Sequence, residues 1–398
     1  MPEMNLKRAV SLVTRMMAIP GQSGREARIL HFITNALRKA GLPSRAMRLD
    51  QVHRKSPNGG ETGNLIVRLE GTTRQQRRLL MAHVDTVPVC VGSRPVRRGA
   101  WIRSADHGTA LGADNRSGAA AVLNAVLAIL AGKLHHPPLT ILWTVQEEVG
   151  LIGARFVALA NLGRPKLVFN FDSGDPSRLV IGATGAYRGN IDIEGTASHA
   201  GVHPELGVSA ITIASLAIAQ LQKDGYLGAV RKGRRTGTSN IGFIEGGQAT
   251  NVVAPRARLT AEVRSHDPRF RKMILDRFRT VFRSAAEEVR NESGRAGKVR
   301  FDFHLDYEAF KLGRREPCIV AARKAVRACA GGGAGIEPLL VVVDGGLDAN
   351  WLTRRGLPTV TLGAGQHGAH TVDEALHVSE FEIGCRAALR LATGTEDA

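Results

Sequence analysis

Histidines and carboxylates follow directly on apolar stretches at several places in this sequence. These residues are His83 and Asp85 after LLMA, Glu147 and Glu148 after ILWTVQ, Asp172 after LVFNF, and His367 and His370 after PTVTLGAG. Because ligands of open α/β sheets bind outside the carboxyl ends of the strands, the side chains are predicted to face one crevice. Asp114, in LGADNRSG, lies at the predicted start of an apolar helix, from which it can face the same crevice.

Imidazoles and carboxylates without cysteine form a ligand set that suits zinc, cobalt or manganese. The carboxylates are too many for a single tetrahedral zinc ion, whereas two ions bridged by one carboxylate would use them. One of the two adjacent glutamates could then bind metal while its neighbour stays free as a base. Such a base would take a proton from a metal-bound water, whose pKa is lowered to about 7, and pass it to a leaving nitrogen.

Each motif alone also has an ordinary structural interpretation. HVDTVP can end a strand with a solvated polar pair, and ADNRSG can cap a helix. Two glutamates at the start of a helix can simply complement its dipole, and the aspartate of FDSGDP can belong to a turn. Their joint occurrence, in order and at predicted strand ends, favours the metal site.

The elements that must position these residues form two patterns. Up to about residue 185, apolar strands such as RRLLMAH and LTILWTV alternate with helices, which is typical of an α/β sheet covered on both faces. From about Ala186 the order becomes β-α-β-β-α-β, a ferredoxin-like unit, and after about Ala309 the α/β pattern returns. We therefore expect a catalytic domain in two parts, residues 1–185 and 310–398, and an inserted domain at residues 186–309.

Length, charge and cysteine content narrow the function classes. A chain of 398 residues suggests two or three domains. The net charge is 54 − 36 = +18, but only RKGRR (residues 231–235) forms a local basic cluster, and no aromatic residues interleave with it. The four cysteines are far apart, and no apolar run reaches the roughly 20 residues of a bilayer span. These features favour a cytoplasmic protein without a nucleic-acid or membrane partner.

The motifs HVDTVP, GADNRSG, TVQEEVG, FNFDSGDP, GTASHAGVHPELG, GGLDAN and GAGQHGAHTVDE, in this order, resemble those of a known enzyme family. It is the family of dinuclear zinc exopeptidases that includes peptidase T, glutamate carboxypeptidase and the aminoacylases. The resemblance extends from about Leu6 to Leu391. It implies a mixed-sheet α/β/α catalytic domain, an inserted ferredoxin-like α+β domain that serves as lid and dimerisation domain, and a homodimer with two zinc ions per chain.

The resemblance also implies roles for the residues of the crevice. The implied metal ligands are His83 and Asp172 for one ion, Glu148 and His370 for the other, and Asp114 as the bridge. Glu147 would be the general base, and Asp85 would orient His83 by a hydrogen bond. His370 is preferred to His367 as the last ligand because HTVDE matches the family's final ligand segment. A cis peptide bond is expected after the bridging aspartate.

In the inserted domain three residues are similar to substrate-binding groups of the family. His199 resembles the histidine that polarises the scissile carbonyl, usually in the active site of the partner subunit. Asn251 and Arg264 resemble groups that grip substrate, and an arginine fork suits a terminal carboxylate.

The expected function is a zinc-dependent exopeptidase that cleaves short peptides. SHAGVHPELGVSAI, IEGGQATNVVAP and AEVRS are most similar to peptidase T, which releases the N-terminal residue of tripeptides. Carboxypeptidase and N-acyl-amino-acid deacylase activities on the same site remain open at this point. A non-catalytic binding protein that uses its basic charge is the alternative from another class.

Overall fold

The structure is a computed structural model that describes residues 4–329 and 337–396. Its contacts divide the chain into two compact units. Unit 1 comprises the described residues up to Gly182, Lys311–Val343 and those from Leu347 onward; unit 2 comprises Ala183–Phe310 with Asp344–Gly346. The domain boundaries expected near residues 185 and 309 remain a prediction.

The helices of the described residues are α1 (Leu6–Met17), α2 (Ala27–Lys39), α3 (Ala113–Gly132), α4 (Ile152–Phe156), α5 (Ala210–Lys223), α6 (Pro268–Glu288), α7 (Pro317–Cys329), α8 (Asp348–Arg354) and α9 (Val378–Thr393). The strands are β1 (Met47–Leu49), β2 (Leu65–Leu69), β3 (Arg78–His83), β4 (Pro95–Arg98), β5 (Trp101–Ser104), β6 (Leu139–Thr144), β7 (Leu167–Ser173), β8 (Arg178–Ala183), β9 (Gly185–Glu194), β10 (Gly228–Lys232), β11 (Arg235–Gly246), β12 (Arg256–Ser265), β13 (Lys298–Tyr307), β14 (Phe310–Lys311), β15 (Leu339–Val343), β16 (Thr359–Gly363), β17 (Gln366–His367) and β18 (Ala375–His377).

The large sheet has the strand order β1-β2-β6-β3-β7-β16-β8-β14, with β15 beside β8. Its centre, β6-β3-β7-β16, is parallel, and every residue of β3 and β6 is buried, as expected for strands covered on both faces. In the register of this sheet His83 lies opposite Thr144. The carboxyl ends of four parallel strands therefore meet at one edge of unit 1.

Helix α3 brings the residues of its first turn to this edge. It contacts α1, α9, β3 and β7, and most of its apolar residues are buried. Among the described residues it is the one helix whose length and composition would suit a bilayer span. Its burial inside unit 1 is typical of the core helix of a folded domain.

Unit 2 contains a five-stranded sheet in the order β10-β11-β12-β9-β13, with antiparallel pairing throughout. Ile191, Leu259 and Phe301 lie in register on one face and pack with α5 and α6. Apart from β10, which the sequence did not indicate, the order β9-α5-β11-β12-α6-β13 is the predicted β-α-β-β-α-β. The predicted fold class, a mixed-sheet α/β domain with an inserted ferredoxin-like domain, is confirmed.

Some elements differ from the prediction. The apolar stretch GARFVALA, which has the composition of a helix, is helical only as far as Phe156. The backbone is extended at Val157, and a short 3-10 helix, Leu159–Leu162, follows. The hairpin β4–β5 and helices α8 and α9 were not predicted. β4 and β5 join β17 and β18 in a four-stranded sheet of short strands, whose pairing involves residues more than 200 positions apart.

Candidate metal centre

The polar residues predicted to share one crevice do lie close together in unit 1. They form two groups of three residues, and the two groups share one residue. Each residue offers one donor atom, and within a group these atoms lie within 4.8 Å of one another. The first group is His83, Asp114 and Asp172, and the second is Asp114, Glu148 and His370.

In the first group, one imidazole nitrogen faces two carboxylates. His83 Nε2 is 3.2 Å from Asp114 Oδ1 and 3.4 Å from Asp172 Oδ1. On the other side of the ring, Nδ1 lies 3.4 Å from Asp85 Oδ1 and 3.1 Å from the Asp85 carbonyl oxygen. Although burial lowers the pKa of His83, the surrounding carboxylates raise it well above its usual value. A ring that donates through Nδ1 presents its Nε2 lone pair to the same point as the two carboxylates.

In the second group, His370 Nε2 lies 2.8 Å from Glu148 Oε2 and 3.5 Å from Asp114 Oδ2. Hydrogen bonds to these two carboxylates raise the pKa of His370 to about 10. Burial, together with the charges of Asp114 and Asp85, raises the pKa of Glu148 to about 6. The other histidine of this segment, His367, bonds to Glu380 instead, with Nε2 2.6 Å from Oε2.

The donor set fits a pair of divalent metal ions. Asp114 directs Oδ1 toward His83 and Oδ2 toward His370, which is the arrangement that a bridging carboxylate needs. The two groups contain only nitrogen and oxygen donors, a set that suits zinc or another borderline-hard ion. Buried carboxylates this close repel one another when ionised, and cations between them offset the repulsion. The peptide bond after Asp114 is cis, as expected.

Asp85 organises the turn that follows β6 as well as the His83 ring. It is fully buried, and its Oδ1 accepts the N–H of Glu147 at 3.0 Å while its Oδ2 accepts the N–H of Glu148 at 3.2 Å. Ser23 Oγ donates to Oδ2 at 2.7 Å. These bonds and the neighbouring His83 hold the pKa of Asp85 below its usual value in spite of its burial.

Glu147 belongs to neither donor group. It is 8% exposed, and burial, together with the charges of Asp172, Glu148 and Asp348, raises its pKa well above the usual value. A carboxyl group that is adjacent to a ligand and raised in pKa is suited to accept a proton at neutral pH and release it again.

Sequence reasoning missed three buried carboxylates that surround the two groups. Glu26 accepts the N–H groups of Gly24 and Gln146, at 2.7 and 3.1 Å, and its pKa is raised to about 7 by burial and by the charge of Asp85. Asp348, also fully buried, accepts the hydroxyl of Thr144 at the end of β6.

Glu374, the third of them, accepts the N–H of Asp114 at 2.8 Å. The three carboxylates lie in PGQSGRE, GGLDAN and HTVDE. Only Asp348 is a lone acidic residue between apolar residues, which was an available signal, whereas Glu26 follows an arginine and Glu374 follows another acidic residue.

The residues predicted to contact substrate lie in unit 2. His199 is exposed and pairs in a β-bridge with Val252, the neighbour of Asn251, whose carbonyl oxygen accepts the N–H of Ala200 at 2.9 Å. His199 and Asn251 are thereby brought together. Arg264 lies on β12, where its guanidinium pairs with Glu262 at 3.0 Å.

Known proteins are similar to this chain over most of its length. Residues 181–290 match the family model described as "Peptidase dimerisation domain", and residues 64–199 match "Peptidase family M28". The uncharacterized protein YqjE of Bacillus subtilis is 32% identical over 328 residues, which are 81% of this chain and 82% of that protein. Carboxypeptidase G2 of a Pseudomonas species is 27% identical over 308 residues, 75% of this chain and 69% of its own.

Solved structures agree with these matches. A tripeptidase from Staphylococcus aureus superposes with a TM-score of 0.84 at 29% identity, over 99% of this chain and 100% of that chain. The aminopeptidase PepT from Bacillus cereus has a TM-score of 0.79 at 28% identity, over 98% of each chain.

These similarities and the two donor groups identify the protein as a metal-dependent hydrolase that acts on peptide bonds. The resemblance read from the seven sequence motifs is thus confirmed. The chain belongs to the family of dinuclear zinc exopeptidases that includes peptidase T, glutamate carboxypeptidase and the aminoacylases.

Proposed function

We propose that the protein is a zinc-dependent tripeptide aminopeptidase of the peptidase T type. The observation that carries this proposal is the likeness to the Staphylococcus aureus tripeptidase, which extends over 99% of this chain. The PepT structure from Bacillus cereus supports the same substrate class. The nitrogen and oxygen donors of the two groups support zinc as the native metal.

The ligands would be His83 and Asp172 at one ion, Glu148 and His370 at the other, and Asp114 at both. Zinc bound there would act as a Lewis acid toward the scissile carbonyl and would lower the pKa of a bound water to about 7.

Glu147 is the general base in this proposal. It accepts the proton of the attacking water and delivers it to the nitrogen that leaves as the bond breaks. Its absence from both donor groups and its raised pKa support this role. Asp85 supports it, because its two oxygens hold the backbone N–H groups of Glu147 and Glu148 and so aim the two side chains separately.

The three residues of unit 2 bind and orient the peptide. His199, supplied by the partner subunit, donates a hydrogen bond to the scissile carbonyl oxygen, and Asn251 holds the backbone of the substrate beside it. Arg264 binds the terminal carboxylate of the peptide. Its present partner, Glu262, lies two residues away on the same strand and keeps the guanidinium oriented.

The protein is proposed to act as a homodimer through unit 2. The peptidase dimerisation model covers residues 181–290. Within the described residues, β10 pairs with β11 only as far as Ser239, so the outer edge of β11 from Asn240 to Gly246 is open. Phe243 and Ile244 on this stretch are 49% and 51% exposed, and Ile211 on α5 is 43% exposed. An open strand edge with apolar side chains is suited to pair with a second copy.

The four buried cysteines form no disulfide, which is compatible with a cytoplasmic location.

A carboxypeptidase is the second candidate. Its supporting observation is the 27% identity with Carboxypeptidase G2, together with Arg264, whose guanidinium suits the carboxylate at the end of a peptide. Deacylation of N-acyl amino acids uses the same chemistry, and one experiment separates all three activities.

The test is product analysis by mass spectrometry with zinc-loaded protein and three forms of one tripeptide: free, N-acetylated and C-amidated. An aminopeptidase releases the first residue of the free and the amidated peptides and leaves the acetylated peptide intact. Release of the last residue would replace the proposal by a carboxypeptidase, and release of acetate would replace it by a deacylase. Metal analysis of protein purified without added metal tests zinc separately.

A further inference from the structure

Glu374 joins two distant parts of the candidate metal centre. It lies in the loop between β17 and β18, four residues after His370, and is 1% exposed. Its Oε2 accepts the N–H of Gly112 at 2.6 Å, and its Oε1 accepts the N–H of Asp114 at 2.8 Å. One buried carboxylate thus binds the backbone on both sides of Ala113, about 260 residues earlier in the chain.

These bonds hold the segment that leads into the regular part of helix α3. Gly112 has a left-handed φ of 78° and ψ of 27°, and Asp114 and Asn115 are not helical, so the regular helix begins after them. Its cap is Asn115, whose Oδ1 accepts the N–H of Gly118 at 3.0 Å, whereas the N–H groups of Gly112 and Asp114 have Glu374 as their acceptor. Hydrogen bonds to an ionised acceptor are about twice as strong as neutral ones.

We infer that Glu374 is a positioning residue that connects the bridging carboxylate to the loop that carries the last ligand. This inference rests on the ligand set proposed above. The loop is closed by its own bonds, since Glu374 N donates to Thr371 O at 3.1 Å and Thr371 Oγ1 donates to Gly368 O at 2.8 Å. Anchoring Glu374 therefore also anchors His370, whose Nε2 lies 3.5 Å from Asp114 Oδ2.

The two ions should depend on Glu374 to different extents. His83 and Asp172 belong to strands β3 and β7, which pair directly in the centre of the sheet. His370 lies on a loop, is half exposed and has a φ of 67°. Loss of the Glu374 anchor should therefore weaken metal binding by the second group more than by the first. The second group is Asp114, Glu148 and His370.

The experiment measures zinc binding by the full chain, without reference to activity. Metal-free protein is dialysed against zinc buffers of graded free concentration, and bound zinc is counted by mass spectrometry. For Glu374→Ala we expect one ion to bind 10–100-fold more weakly than in the unchanged protein while the other keeps its affinity. Glu374→Gln, which keeps one acceptor oxygen for one of the two N–H groups, should give an intermediate loss.

Glu380→Gln is the matched control. Glu380 also bonds to a residue of the β17–β18 hairpin, His367, but belongs to neither donor group. Both ions should bind this variant with unchanged affinity. If Glu380→Gln weakened binding of the second ion as much as Glu374→Ala does, a general loosening of the hairpin would explain the loss. That result would overturn the inference.

Other outcomes are equally decisive. Two ions bound to Glu374→Ala with unchanged affinity, or equal weakening of both, would overturn the inference. If Glu374→Ala fails to fold by circular dichroism, Glu374→Gln decides by the same criterion. Failure of the unchanged protein to bind two ions would remove the ligand set itself. Two ions bound by a protein that does not cleave tripeptides would refute only the proposed activity.

Discussion

Asp85→Ala is the substitution that most directly tests how the centre is held together. The side chain is fully buried and has four partners: the N–H groups of Glu147 and Glu148, the hydroxyl of Ser23 and the ring of His83. Alanine removes all four side-chain interactions at once and leaves only the contact of the His83 ring with the backbone carbonyl oxygen of residue 85. It also leaves a small cavity, into which neither backbone N–H can turn without moving the chain after β6.

The expected cost follows from these contacts. Each buried N–H left without an acceptor costs about 1–3 kcal/mol, so the two together lower the free energy of unfolding by about 2–6 kcal/mol. That is a large share of the roughly 5–15 kcal/mol that stabilises a typical domain. His83 Nδ1 keeps the Asp85 carbonyl oxygen at 3.1 Å, so the ring is loosened but not released. Zinc binding at the first group should therefore weaken by about 10-fold, the lower end of the effect of residues that orient a ligand.

Two assays separate these effects. Urea unfolding of metal-free protein gives the change in stability, and zinc dialysis gives the change in affinity. Asp267→Ala is the control, because Asp267 caps α6 in unit 2 by accepting the N–H of Arg269 at 2.8 Å and belongs to neither donor group. It should cost about 0.5–2 kcal/mol without altering zinc affinity. A stable Asp85→Ala protein that binds two zinc ions normally would refute the reasoning.

Three further substitutions test the proposed roles. Glu147→Gln should lower kcat at least 100-fold while both zinc ions remain, whereas loss of zinc would show that Glu147 and Glu148 have exchanged roles. Arg264→Ala should mainly raise KM for peptides with a free carboxylate, and an equal effect on amidated peptides would remove that assignment. Phe243→Lys should shift the protein to monomers in sedimentation velocity and lower the activity with it; an unchanged dimer would place the interface elsewhere.

Much of the candidate centre could be predicted because parallel strands end at one edge. His83 and Asp172 terminate neighbouring strands, so their proximity follows from reading β3 and β7 as parallel. The opening turn of α3 brings Asp114 to the same edge. The choice of His370 over His367 came from the family motif, since spacing alone does not tell two histidines of one loop apart.

The buried carboxylates around the two donor groups could not be predicted in the same way. Glu374 reaches Asp114, and Asp348 reaches Thr144, through contacts between residues more than 200 positions apart. No periodicity of the sequence reports such a pairing. Short strands such as β17 and β18 have two or three residues each, too few to show an alternating pattern.

The adjacent glutamates show how geometry gives one residue type two different environments. Gln146 before them has a left-handed φ of 54°, and its N–H is held by Glu26. Asp85 then binds one N–H with each of its oxygens, which orients two successive peptide planes. From this turn Glu148 reaches His370, while Glu147 is directed to a buried place among other carboxylates, where its pKa rises. Two identical side chains differ in chemistry because a third carboxylate holds the backbone between them.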